Sequence, residues 1–148
     1  MKQKEKQRKS EKKRISVEEG LFTLPESTAE NAQLIGSKCK FCGSVFFPKR
    51  LICGSCFKEG METILLSNRG KITTWTVIWM SPPGFKGQVP YVLGEVGLPE
   101  NVTIRTHFTG VDPNKPAIKL GDEVEMVIEK IYENEEGNQI VSYMFKPA

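Results

Sequence analysis

The sequence is short of the residues that most catalytic sites use. His107 is the only imidazole in 148 residues, and four cysteines are the only thiols. Neither a P-loop nor a G-x-G-x-x-G run occurs, so a glycine-rich phosphate cradle is excluded. No apolar run approaches the ~20 residues that a membrane-spanning helix needs. The N-terminus is charged where a secretory leader would be apolar, and a cytoplasmic location is expected. Without a secretory route, the glycosylation-like triplet Asn101-Val102-Thr103 reads as coincidence.

What is present describes a globular protein. Hydrophobic residues make up 39% and charged residues 26%, ordinary values for a folded domain. The length suits one compact domain or two small ones. The net charge of +3 is unevenly spread. Residues 1–14 hold eight basic side chains against two acidic ones, which leaves a net −3 on the rest of the chain. Residues 1–20 therefore read as a basic arm, either solvated or a helix that docks on a partner or an anionic ligand. The expected fold itself is mildly acidic, which argues against nucleic acid as its target.

The cysteines form two matched pairs, Cys39-Lys40-Phe41-Cys42 and Cys53-Gly54-Ser55-Cys56. Four thiolates at about 2.3 Å satisfy tetrahedral zinc, and each C-x2-C turn supplies two of them. Gly43 follows the first pair and Gly54 lies within the second, where tight turns favour glycine. A structural zinc ribbon is the expected arrangement. Two disulfides would suit a secreted chain, and a redox motif would need one pair rather than two.

Ser27 or Thr28 is positioned to cap a short helix through Ala32, Leu34 and Ile35, stopped at Gly36. Residues 21–62 are thus expected to be a short helix plus the ribbon, with Val45-Phe46-Phe47-Pro48 as a strand between the knuckles. Residues 63–148 change character. Thr63–Leu66 is short and apolar, Asn68-Arg69-Gly70 signals a turn, and residues 71–80 are rich in β-branched and aromatic residues. Ser81-Pro82-Pro83-Gly84 ends that strand. Tyr91–Leu98 follows, then an alternating segment over 102–108 that puts Val102, Ile104, Thr106 and Phe108 on one face. Val124, Met126 and Ile128 mark another strand, Glu133–Asn138 a hairpin turn, and Ile140–Phe145 the last strand. Five such strands suggest a closed OB-fold barrel, with an open meander or an SH3-like barrel as alternatives. The predicted class is mainly β: an N-terminal helical segment, a rubredoxin-like zinc ribbon and a five-stranded OB-fold barrel.

If zinc takes all four cysteines, no thiol nucleophile is left, and a filled tetrahedron has no open position for water. His107 falls on the polar face of its strand and reads as a surface histidine. Catalysis by this chain alone is therefore not expected. Binding fits better. The segment from Pro82 to Tyr91 is a proline-stiffened loop that offers Phe85 and Lys86, and stiffness lowers the ordering cost of binding.

Taken together, these motifs resemble the zinc-ribbon/OB-fold accessory proteins that accompany thiolases. The resemblance spans roughly residues 20–148. It rests on Leu34-Ile35-Gly36-Ser37-Lys38-Cys39, Cys42-Gly43, Phe46-Phe47-Pro48-Lys49-Arg50 and Cys53 through Cys56. In the barrel it rests on residues 70–77, Pro82-Pro83-Gly84-Phe85, Pro90-Tyr91-Val92, Gly121-Asp122-Glu123-Val124 and the closing Phe145-Lys146-Pro147-Ala148. Gly54 departs from the pattern, since the family often has proline there.

The resemblance implies a non-catalytic zinc subunit that docks on a thiolase-fold catalytic partner and helps hold coenzyme A or acyl-CoA. The partner would supply the nucleophile and the acid–base pair. Lys49, Arg50 and Lys86 are then candidates for CoA phosphates, and Phe85 and Tyr91 for CoA or partner contact. The competing class is a single-stranded nucleic-acid-binding ribbon/OB protein, which would use an aromatic platform and a basic groove.

Overall fold

A computed structural model describes residues 14–18, 20–23, 32–85 and 87–148. Among these residues nine strands form, in the order β1 (Arg14–Ser16), β2 (Ile35–Cys39), β3 (Val45–Phe46), β4 (Met61–Leu65), β5 (Arg69–Ile78), β6 (Tyr91–Leu98), β7 (Val102–Phe108), β8 (Glu123–Glu133) and β9 (Gln139–Pro147). Among the described residues no helix is long and apolar enough to cross a membrane.

The expected N-terminal helix is corrected. No α-helix occurs among the described residues. The proposed caps Ser27 and Thr28 lie outside them, but Leu34 and Ile35 do not. Leu34 bridges Phe22 in antiparallel fashion, and Ile35 opens β2 opposite Leu65. The backbone amide of Ile35 donates to Leu21 O, and that of Leu66 to Leu34 O. Tertiary pairing thus took these apolar residues into a sheet, which a short helical pattern cannot resist.

The ribbon is a three-stranded antiparallel sheet in the order β3-β2-β4. The barrel is closed. Its strands run β9-β7-β6-β5-β8, and β8 pairs back onto β9. A meander would set β7 beside β8. Here β7 lies beside β9, in parallel, through Phe108 and Phe145. Closure removes the exposed edges of an open sheet. The short β1 adds outside the barrel, parallel to β9, with Ile15 beside Ile140.

Alternation along each strand puts one face inside. Val92, Val96, Ile104, Phe108, Val124 and Phe145 are buried in the barrel. Leu21, Phe22, Leu34 and Leu66 join the same core from the ribbon side. Tyr143 marks the seam, with Phe22 and Phe47 meeting its ring edge-on at 6.2 and 5.6 Å. Its burial pushes the phenol pKa up, helped by the charge of Glu18. At the link between ribbon and barrel, Ser67 donates its backbone amide and hydroxyl to Glu100 Oε1, at 2.6 and 2.7 Å.

Candidate functional site

The four cysteines converge. Cys39 ends β2, Cys42 closes its knuckle, and Cys53 and Cys56 come from the second knuckle after β3. Their Sγ atoms all lie within 4.8 Å of one another. The separations Cys39–Cys56 and Cys42–Cys53 are 3.6 and 3.5 Å. A tetrahedron with 2.3 Å metal–sulfur bonds has edges of about 3.8 Å, so the donor set fits zinc.

The two knuckles repeat one geometry. In the first, Gly43 donates its amide to Cys39 O; in the second, Phe57 donates to Cys53 O. Backbone amides also point at the sulfurs, from Phe41 to Cys39 and from Ser55 and Cys56 to Cys53. Such donors favour thiolate over thiol. Gly43 and Phe57 share a left-handed backbone, at φ 76° and 62°. The position that matches Gly43 is therefore Phe57, not Gly54. Gly54 is small for another reason: a Cβ there would approach Arg50 Nη1 to 3.0 Å and Phe46 Cε1 to 3.2 Å.

The thiols are also poised against one another. The Ser44 hydroxyl and amide hold Cys42 down to about 6. The Cys42 amide, with those of other neighbours, lowers Cys39. The Lys58 amide pulls Cys56 down too, but burial and the neighbouring sulfurs outweigh it and push it up to about 11. Four thiolates this close repel unless a cation sits among them. A zinc ion held by Cys39, Cys42, Cys53 and Cys56 would supply that charge and pin both knuckles. It would have no open position for substrate.

The ribbon also carries exposed apolar side chains around this centre. Phe41 is 62%, Leu51 89% and Phe57 78% exposed. Lys58 Nζ sits over the Phe41 ring at 4.8 Å.

The other predicted site residues fall into two places. Lys49 and Arg50 are exposed on the ribbon. Arg50 stacks over Phe46 at 5.2 Å and its amide donates to Ser37 Oγ. Phe85 and Tyr91 lie on the outer face of the barrel and touch, with ring centroids 4.8 Å apart. Lys86 lies outside the described residues. Neither Lys49 nor Arg50 lines a cavity that Phe85 lines.

His107, which reads as a surface histidine in the sequence, joins that aromatic pair. It does project outward from β7, opposite Leu93. But Tyr91 stacks on it at 4.5 Å, and Phe85 reaches it at 5.8 Å. Burial lowers its pKa below the usual imidazole value. The only available signal was that Tyr91 and His107 both fall on outward positions of neighbouring strands.

A zinc ribbon followed by a closed five-stranded barrel, with every thiol gathered in one metal site, defines the zinc-ribbon/OB-fold class. Residues 31–62 match the family described as ChsH2, rubredoxin-like zinc ribbon domain. Residues 63–129 match ChsH2, C-terminal OB-fold domain. A DUF35 domain-containing scaffold protein of Methanothermobacter thermautotrophicus is 41% identical over 76% of this chain and 84% of its own length. A benzoylsuccinyl-CoA thiolase subunit, BbsA, of Thauera aromatica is 34% identical over 76% of this chain and 75% of its own. The chain belongs to this DUF35 family. The same fold is seen in a solved Ltp2-ChsH2(DUF35) aldolase, with a TM-score of 0.61 at 23% identity, covering 78% of this chain and 84% of that one.

Proposed function

We infer that the protein is an accessory subunit of a thiolase-type enzyme complex. It docks on a thiolase-fold catalytic partner and helps that partner hold coenzyme A or acyl-CoA. The observation that carries this reading is the gathering of all four thiols into one tetrahedral site. Thiolytic cleavage needs a nucleophilic cysteine, and a closed zinc site leaves none here. Relatives named as a thiolase subunit and as scaffold proteins support the same reading.

Docking falls to the exposed apolar ribbon, where Phe41, Leu51 and Phe57 supply anchors of the kind that dominate interfaces. Phe85 and Tyr91 contact CoA or the partner from the barrel. Lys49, Arg50 and Lys86 meet the phosphates of CoA as charge-assisted contacts. The test begins with the full chain, tagged and purified from its own cells. A thiolase-fold subunit should accompany it in fixed ratio, and the pair should cleave an acyl-CoA that neither turns over alone. Turnover by the isolated chain would defeat the reading. Alanine at Arg50 and Lys86 should raise KM for CoA; an unchanged KM removes the phosphate contacts but leaves docking standing.

The outer face of β6 and β7 also suits the strand-binding surface of OB folds, with three aromatic rings on it. Against that, Arg105 on this face is paired with Glu95 at 3.7 Å. Salt-sensitive binding of a generic single strand that survives deletion of residues 1–14 would favour the nucleic-acid reading.

A further inference from the structure

The ribbon sheet ends on an open strand. Its order is β3-β2-β4, so β3 and β4 are its two margins. The first margin is blunted, since β3 is two residues long and runs into Phe47-Pro48. The second is not. β4 is five residues long, contains neither proline nor lysine, and pairs with β2 without a bulge. Sheets guard an exposed edge with those features, and an edge that lacks them is a template for another strand.

The ladder shows which backbone groups lie open. The Lys40 amide donates to Gly60 O, and the Leu66 amide to Leu34 O, both at 2.9 Å. Bonded and non-bonded positions alternate in an antiparallel pair, so Glu62 and Ile64 also direct their groups at β2. The N–H and C=O of Met61, Thr63 and Leu65 point the other way, and no strand pairs with them among the described residues. Their side chains share one face of the strand. Ile64, on the opposite face, packs against the core. The Met61–Thr63–Leu65 face therefore turns outward, with Leu65 51% exposed.

The strand that suits this edge is β4 itself. Turned antiparallel about Thr63, a second β4 sets threonine beside threonine and Met61 beside Leu65 at either end. These are the positions whose backbone groups are open, so each pair can exchange two hydrogen bonds. Facing threonines make a favourable cross-strand pair, and the apolar ends cover one another. Glu62 falls opposite Ile64, not opposite a second carboxylate. Each Glu62 also brings its own cation, Lys40, at 3.6 Å, so the two carboxylates that become diagonal neighbours stay neutralised.

We propose that two copies of this chain associate through their β4 edges, joining two ribbons into one continuous antiparallel sheet about a two-fold axis. This surface goes beyond the docking described above and does not depend on it. A five-residue strand buries less than a standard interface, so the dimer is weak, with a Kd on the order of 10–100 µM.

The test measures the mass of the zinc-loaded full chain by analytical ultracentrifugation across that range and about tenfold to either side of it. The mass should rise from monomer to dimer. In the concentrated sample, amide exchange at Met61, Thr63 and Leu65 should slow, while Glu62 and Ile64, already bonded to β2, should not change. Thr63→Pro removes the central donor at an edge position that tolerates proline. Thr63→Lys keeps the donor and sets like charges face to face, and it serves if the proline variant fails to fold. Each should raise the dimer Kd by about tenfold or more, the equivalent of one or two lost hydrogen bonds. A chain that stays monomeric throughout overturns the proposal. So does a dimer that Thr63→Lys leaves unchanged, or one in which the three amides still exchange freely. Protection that appears only when the catalytic subunit is added gives the edge to that partner and likewise overturns self-pairing.

Discussion

Phe57 holds a backbone conformation that a bulky residue avoids. At φ 62° its Cβ crowds the backbone, at a cost of roughly 1–2 kcal/mol. Its side chain is 78% exposed and gains little from packing within the chain. Phe57→Gly should therefore stabilise the isolated protein, by about 0.5–1 kcal/mol once glycine's own entropy is counted. The same change should weaken docking. Denaturant midpoints and partner affinity measured together check both halves, and a loss of stability would mean that the Phe57 ring contributes packing within the chain. His107 offers a second handle. Burial lowers its pKa in the fold below the unfolded value of 6.5, so the unfolded chain takes up the proton first. The contribution of neutral His107 is full above about pH 6.5 and is lost as pH falls through the lower folded value. Wild type should lose stability relative to His107→Gln over that window, in urea titrations at matched ionic strength. Parallel curves would contradict a desolvated imidazole.

Among the elements, the link between β4 and β5 depends on Glu100. Its Oε1 receives both donors of Ser67, while its buried Oε2 has no hydrogen-bond partner among the described residues. Glu100→Ala removes both bonds and leaves the Ser67 amide unpaired. The expected loss is about 1–3 kcal/mol, read as a lower melting temperature; a shift within error would show that water replaces the carboxylate without penalty. Legibility from sequence follows the range of each interaction. The cysteine pairs were readable because C-x2-C geometry is local. Strands β7 and β8 were readable because alternation shows at period two. Leu34 and Ile35 fall in a sheet rather than the expected helix because two adjacent apolar residues fit either. Leu21, Leu65 and Phe22 decided the matter from elsewhere in the chain. Arg14–Ser16 has no apolar stripe at all, and its parallel pairing to β9 was invisible. The grouping of Phe85 with His107 depended on how a loop folds over the barrel, which composition does not encode.

At the scale of the whole molecule, ribbon and barrel share one core. Phe22, Leu34 and Leu66 are continuous with Val92, Ile104 and Phe145. Zinc would then stabilise the barrel as well as the ribbon, since metal binding to the folded site is folding free energy. Chelation, or Cys39→Ala, should lower one cooperative unfolding transition. Two separated transitions, with the barrel's midpoint unmoved, would mean that the shared core is too weak to couple the halves.

The pairing of β1 with β9 sets an order of assembly. The ribbon's strands and knuckles lie between residues 35 and 65 and have all been translated while the ribosome is still making the barrel. Strand β1 is translated before any of them, yet its partner is β9, the last of the described strands. Strand β1 must therefore wait, without that partner, until β9 has emerged. A stalled or C-terminally shortened product would leave both β1 and β8 without the neighbour they share.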